Sequence, residues 1–102
     1  MNQSNLRGGQ FALIPVSVLH DQRLPPDARL LYGMILSCSS QEGRSGVTNA
    51  ELAELMGWGR HKTRRMLKEL AHTAHIRMEW AEGGSVRTIW TGWEYPGHEC
   101  GR

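Results

Sequence analysis

A chain of 102 residues, 39% of them hydrophobic, can build one core without staples and holds no apolar run near the ~18 residues that a membrane helix needs. Twelve Lys and Arg against ten Asp and Glu leave a net charge of only +2, so neither a polyanionic nor a uniformly basic protein is in view. Cys38 and Cys100 stand far apart, in no paired-thiol spacing, which excludes a disulfide scaffold and reads as a reducing, cytoplasmic environment.

Residues 1–10 are polar and lack the hydrophobic segment of a secretory signal. They are expected to form a flexible leader, 11–93 one domain, and 94–102 a flexible tail. Phe11-Ala12-Leu13-Ile14-Pro15-Val16 predicts an extended segment packed on the core, and Val16 to Leu24 has room for a turn of helix. A helix should begin near Pro26 or Asp27, because proline suits the first helical position and an acid suits the positive end of the dipole. Ala28, Leu31, Ile35 and Cys38 repeat at helical spacing, and the helix should fade at Ser39-Ser40. A loop over 41–46 follows, and Val47 is expected to bridge to a later strand.

Thr48-Asn49-Ala50-Glu51 has the form of a capping box, opening a helix over about 49–56 that buries Leu52, Leu55 and Met56. Gly57 should stop it in a left-handed conformation. Only Trp58 and Gly59 then precede a further helix, about 60–73, so the unit reads as helix-turn-helix, with Trp58 packed between helices. Ile76 to Ala81 alternates apolar and polar as a half-buried strand does, Glu82-Gly83-Gly84-Ser85 is a hairpin turn, and Val86 to Thr91 returns. The predicted fold is mainly α with a small antiparallel β-hairpin: a winged helix-turn-helix.

The helix from Arg60 carries the functional signal. At ~100° per residue, Thr63, Met66, Leu67 and Leu70 fall between roughly 240° and 340°, one apolar stripe. His61, Arg64, Arg65, Lys68 and His72 fall between roughly 40° and 140°, almost opposite. Residues 60–68 hold Arg60, Lys62, Arg64, Arg65 and Lys68 and no acid, which leaves the rest of a +2 chain at −3. Basicity focused on one helix face fits a phosphate backbone as partner.

Ala53-Glu54-Leu55-Met56-Gly57-Trp58-Gly59-Arg60, running on to Arg65-Met66-Leu67-Lys68-Glu69-Leu70 and Ile76, resembles bacterial winged helix-turn-helix proteins. Phe11-Ala12-Leu13-Ile14-Pro15, followed by Leu24-Pro25-Pro26-Asp27-Ala28-Arg29-Leu30-Leu31-Tyr32, is similar to the DNA-binding domains of replication initiators and replisome organisers of phages, plasmids and other mobile elements. The chain departs from that pattern at Gly59, where the family usually has Ser, and at Lys62-Thr63, where it often has Thr-Val. The resemblance implies a DNA-binding protein acting in replication initiation or transcription regulation.

In that reading the third helix lies in the major groove of double-stranded DNA. Arg60, His61 and Arg64 lie nearest the base edges, with Arg64 the first choice for a bidentate guanine contact. Lys62, Arg65 and Lys68 complete the basic set, the last two towards phosphate. Thr48 and Asn49 can touch phosphate through the helix N-terminus. Arg77 and Arg87, placed on outward strand positions, reach flanking backbone. Arg65 could instead pair with Glu69 one turn on. Trp80, Trp90 and Trp93 could stack on bases, though tryptophans on hairpin strands are more often core.

No phosphate loop or nucleophile motif points to catalysis. His72 and His75, and His98-Glu99-Cys100, lack a matching second pair at zinc spacing, so neither a metal nor another cofactor is expected. No small-molecule substrate and no membrane are implied, and a homodimer stays open. The rival reading is a winged-helix module for protein interaction or dimerisation.

Overall fold

The computed structural model describes residues 11–84 and 86–92. The expected leader, Ser85 in the turn, and the segment from Trp93 onward with His98, Glu99 and Cys100 lie outside them. Proline opens the central helix: Pro25 sits at its N-cap, Pro26 in its first turn, and Asp27 beside the unsatisfied N–H groups. This helix, α2 (Pro26–Ser37), follows a single turn, α1 (Val16–Leu19). Ala28, Leu31, Tyr32 and Ile35 are fully buried along it, and α1, α3 (Asn49–Met56) and α4 (Arg60–His72) pack around it.

The boundaries of α3 follow from its caps. Thr48 Oγ1 accepts from the Glu51 N–H at 3.1 Å, while Glu51 Oε1 accepts from the Thr48 N–H at 2.9 Å, closing the expected capping box. Gly57 ends the helix at φ 77°, where a side chain would be strained, and its N–H bonds back to Ala53 and Glu54. Leu52 and Ala53 are buried; Leu55 and Met56 are only half-buried, because so short a helix turns a narrow stripe inward. α4 buries Thr63, Met66, Leu67 and Leu70, the four residues of the predicted stripe.

The sheet has three antiparallel strands in the order β1 (Arg44–Ser45), β3 (Arg87–Trp90), β2 (Arg77–Trp80). The expected bridge at Val47 is replaced by Arg44 opposite Trp90 and Ser45 opposite Ile89. A turn at Ser40–Gly43, closed by Ser40 N–H to Arg44 O at 2.8 Å, brings the chain back early enough for Arg44 and Ser45 to reach β3. Met78 stands opposite Ile89 and Trp80 opposite Arg87. Ile89 is buried and Met78 packs on the core, so one sheet face holds Met78, Trp80, Arg87 and Ile89 and the other Arg44, Arg77, Glu79 and Trp90.

Two contacts tie the layers. The buried Tyr32 hydroxyl donates to Thr91 O at 3.1 Å, joining α2 to the end of β3; burial pushes its pKa up to about 12. His75 Nε2 lies 2.7 Å from Asp21 Oδ2, joining the end of α4 to the loop after α1. The opening segment departs from expectation. Phe11 is 77% exposed, Leu13 and Val16 are also exposed, and Val16 already belongs to α1. Ile14 alone packs inward, over Gly33, where an added Cβ would stand 2.9 Å from Ile14 Cγ1. Among the described residues no helix is long and apolar enough to cross a membrane.

Asp21 accepts from Arg23 N, Nε and Nη2 at 3.0, 2.9 and 2.7 Å as well as contacting His75. Arg23 first, then His75, holds its carboxyl far below the usual range. A carboxyl that titrates lower folded than unfolded contributes its full stability above the unfolded value near 4, and loses it as pH falls towards the folded value. Asp21→Asn should therefore be less stable than wild type in urea at pH 7, and the gap should narrow below about pH 4. A gap of constant size across that range would contradict the role given to this carboxylate.

Candidate nucleic-acid interface

α4 starts without a side-chain cap, since Gly59 occupies the N-cap. A latch compensates. Trp58 Nε1 donates to Thr63 Oγ1 at 2.8 Å, and Thr63 Oγ1 donates to Gly59 O at 3.1 Å. Trp58 thus packs at the core edge while fixing the turn between α3 and α4, as expected of it. With the apolar stripe inward, Arg60, His61, Arg64, Arg65 and Lys68 are all exposed.

Among the described residues no carboxylate lies within ion-pair distance of Arg60, Arg64, Arg65 or Lys68. The alternative pairing of Arg65 with Glu69 is not made. His61, Arg64, Arg65 and Lys68 line one open concavity of about 460 Å³ together with Lys62 and Gly59. Lys62 differs from the rest. Its Nζ lies 2.6 Å from Asp27 Oδ2 at the start of α2 and 4.5 Å over the Trp58 ring. Its charge is spent on holding α4 to α2, which sets it apart from the four unpaired cations.

Thr48, Asn49 and Arg87 form a second group, where the hairpin meets the start of α3. Arg87 Nη1 donates to Asn49 Oδ1 and Nη2 to Val47 O, each at 2.6 Å. The expectation that Arg87 points outward is corrected: it shares a strand face with buried Ile89. That alternation was readable from the sequence. Burial lowers the pKa of its guanidinium. The Thr48 hydroxyl and the Asn49 carbonyl are likewise occupied, by the capping box and by Arg87.

Arg77 stands apart on the opposite sheet face, as expected of an outward position. It pairs with Glu79 and lies 5.3 Å from the Trp90 ring centre, with Arg44 at 5.4 Å. Glu79 also accepts from Trp90 Nε1 at 2.9 Å; this bond, then Arg77, lowers its pKa. Trp90 and Trp80 correct the expectation of core residues. Trp90 is half-buried on the outer face, and Trp80, though on the inner face, is 61% exposed because the hairpin runs on past the helices. Trp93 lies outside the described residues. Among the described residues no group of three or more His, Cys, Asp or Glu could hold a metal ion; His75 is engaged by Asp21.

If Arg87 clamps the hairpin to α3, Arg87→Met should lower folding stability by about 1–3 kcal/mol, the worth of its charged hydrogen bonds. Urea unfolding measures this; unchanged stability would show that the clamp carries no weight. No protein-family model, curated protein or solved structure matches this chain.

Proposed function

We propose that the chain is a winged helix-turn-helix protein that binds double-stranded DNA, with α4 in the major groove and the β2–β3 hairpin as wing. The observation that carries this is the exposed face of α4, where four cations stand with no carboxylate partner among the described residues. The major groove, ~12 Å wide, admits one such helix. The first turn of α4 holds Arg60 and Lys62 and no acid, the wrong sign for the positive end of a helix. Asp27 already balances Lys62; Arg60, unpaired among the described residues, costs a few tenths of a kcal/mol there, which an anionic partner would offset. Arg60, His61 and Arg64 take the base edges; Arg65 and Lys68 meet phosphate. A role in replication initiation or transcription regulation on a bacterial phage or plasmid rests on the family resemblance of the opening and helix-turn-helix segments.

A second reading, a module for protein interaction or dimerisation, is favoured by Phe11, Leu13, Val16, Leu19 and Leu30, exposed apolar residues of the opening segment, α1 and α2. Salt separates the two. The two phosphate contacts of Arg65 and Lys68 should give a log–log slope of about −2 in affinity against salt, whereas apolar docking should barely respond. Lys68→Ala should shrink that slope by about 1, and Lys62→Ala, whose cation is already paired, by clearly less. Arg64→Ala should cost about 1–3 kcal/mol of binding and relax sequence preference. Fluorescence anisotropy with labelled duplexes reads all three, and a flat salt response with undiminished Arg64→Ala binding would overturn the proposal.

A further inference from the structure

We infer that the groove between the start of α3 and the hairpin holds one nucleotide of an unpaired DNA strand, its base stacked on Trp80 and its phosphate drawn to Arg87; this rests on the DNA-binding reading above. The groove has a volume of about 390 Å³ and is walled by Val47, Thr48, Asn49, Trp80, Val86 and Arg87. That is the lower range of ligand pockets, suited to one nucleotide.

Two features of its wall call for a ligand. Arg87 is a half-buried cation whose hydrogen-bond acceptors, Asn49 Oδ1 and Val47 O, are both neutral. No carboxylate pairs with it among the described residues, so its charge has no counter-ion there. Phosphate supplies the missing negative charge. Trp80 is the other feature. The other described indoles are covered: Trp58 by Lys62 and its bond to Thr63, Trp90 by Arg44, Arg77 and Glu79. Trp80 carries only the Arg87 guanidinium over its ring, 5.9 Å from the ring centre, and the residue is 61% exposed. A flat exposed ring beside an unneutralised cation matches a base joined to a phosphate, and stacking of this kind tolerates any base. An acidic peptide would satisfy the cation but leave the ring bare. In a closed duplex each base face is already covered by its neighbours, so the ligand comes from an unpaired strand.

The test uses the full chain and two labelled duplexes of the same sequence, one fully paired and one with a four-base bubble. Wild type should bind the bubble roughly 5- to 100-fold more tightly. Trp80→Ala should erase that preference and leave paired-duplex affinity unchanged, and Trp80→Phe should keep most of it. If Trp80→Ala fails to fold by circular dichroism, quenching of tryptophan fluorescence by oligo-dT decides: loss of the quench in Trp80→Phe supports the site, and an unchanged quench overturns it. Equal affinity for both duplexes, or a preference that survives Trp80→Ala, overturns the nucleotide site while leaving paired-duplex binding by α4 standing. A poly-glutamate peptide that competes as well as oligo-dT also overturns it. No binding to either duplex overturns both readings.

Discussion

The burial of one stripe of α4 fixes everything the proposed interface needs. Thr63, Met66, Leu67 and Leu70 are drawn into the core with α2 and α3, and that single orientation leaves Arg60, Arg64, Arg65 and Lys68 in water. A helix is stiff, so a seam on one side sets the azimuth of every residue on the other. Turning α4 by half a revolution would drive Lys68 and Arg65 into the core, at a cost comparable to the whole stability of a small domain. The Trp58–Thr63–Gly59 latch and the pairing of Lys62 with Asp27 hold the first turn in that setting. Interior packing, rather than any contact among the cations themselves, therefore displays the charge.

A second constraint shapes the hairpin. Its inner face begins as core, with Ile89 and Met78, and ends at the turn beyond the reach of the helices. Where it leaves the core, the same face becomes a polar joint: Arg87 reaches back to Asn49 and Val47 at the start of α3. Stability and the proposed nucleotide groove thus share one side chain. The outer face is closed by its own contacts, with Trp90 between Arg44 and Arg77.

Much of this is legible in the sequence because local signals agree with the packing. The capping box at Thr48, the left-handed Gly57 and the apolar stripe of α4 each rest on spacing within one element, and each is present as expected. The expectations that fail depend on contacts distant in sequence. Val47 loses its strand role because Arg44 and Ser45 reach β3 first. Phe11 stays exposed, while Ile14 packs over Gly33. Trp80 and Trp90 are typical core residues by type, yet neither is buried, since the helical layer covers only part of the sheet. Two site features follow from spacing alone. Lys62 sits about 200° around the helix from Arg60, between the two faces, and Arg87 shares the parity of Ile89.

Amide chemical-shift mapping of the chain, as a short paired duplex is added, shows which surface meets DNA. If it is the outward face of α4, the largest changes run along Arg60–Lys68. Changes confined to the opening segment, α1 and the exposed side of α2, with Arg60–Lys68 unmoved, would contradict DNA binding through α4.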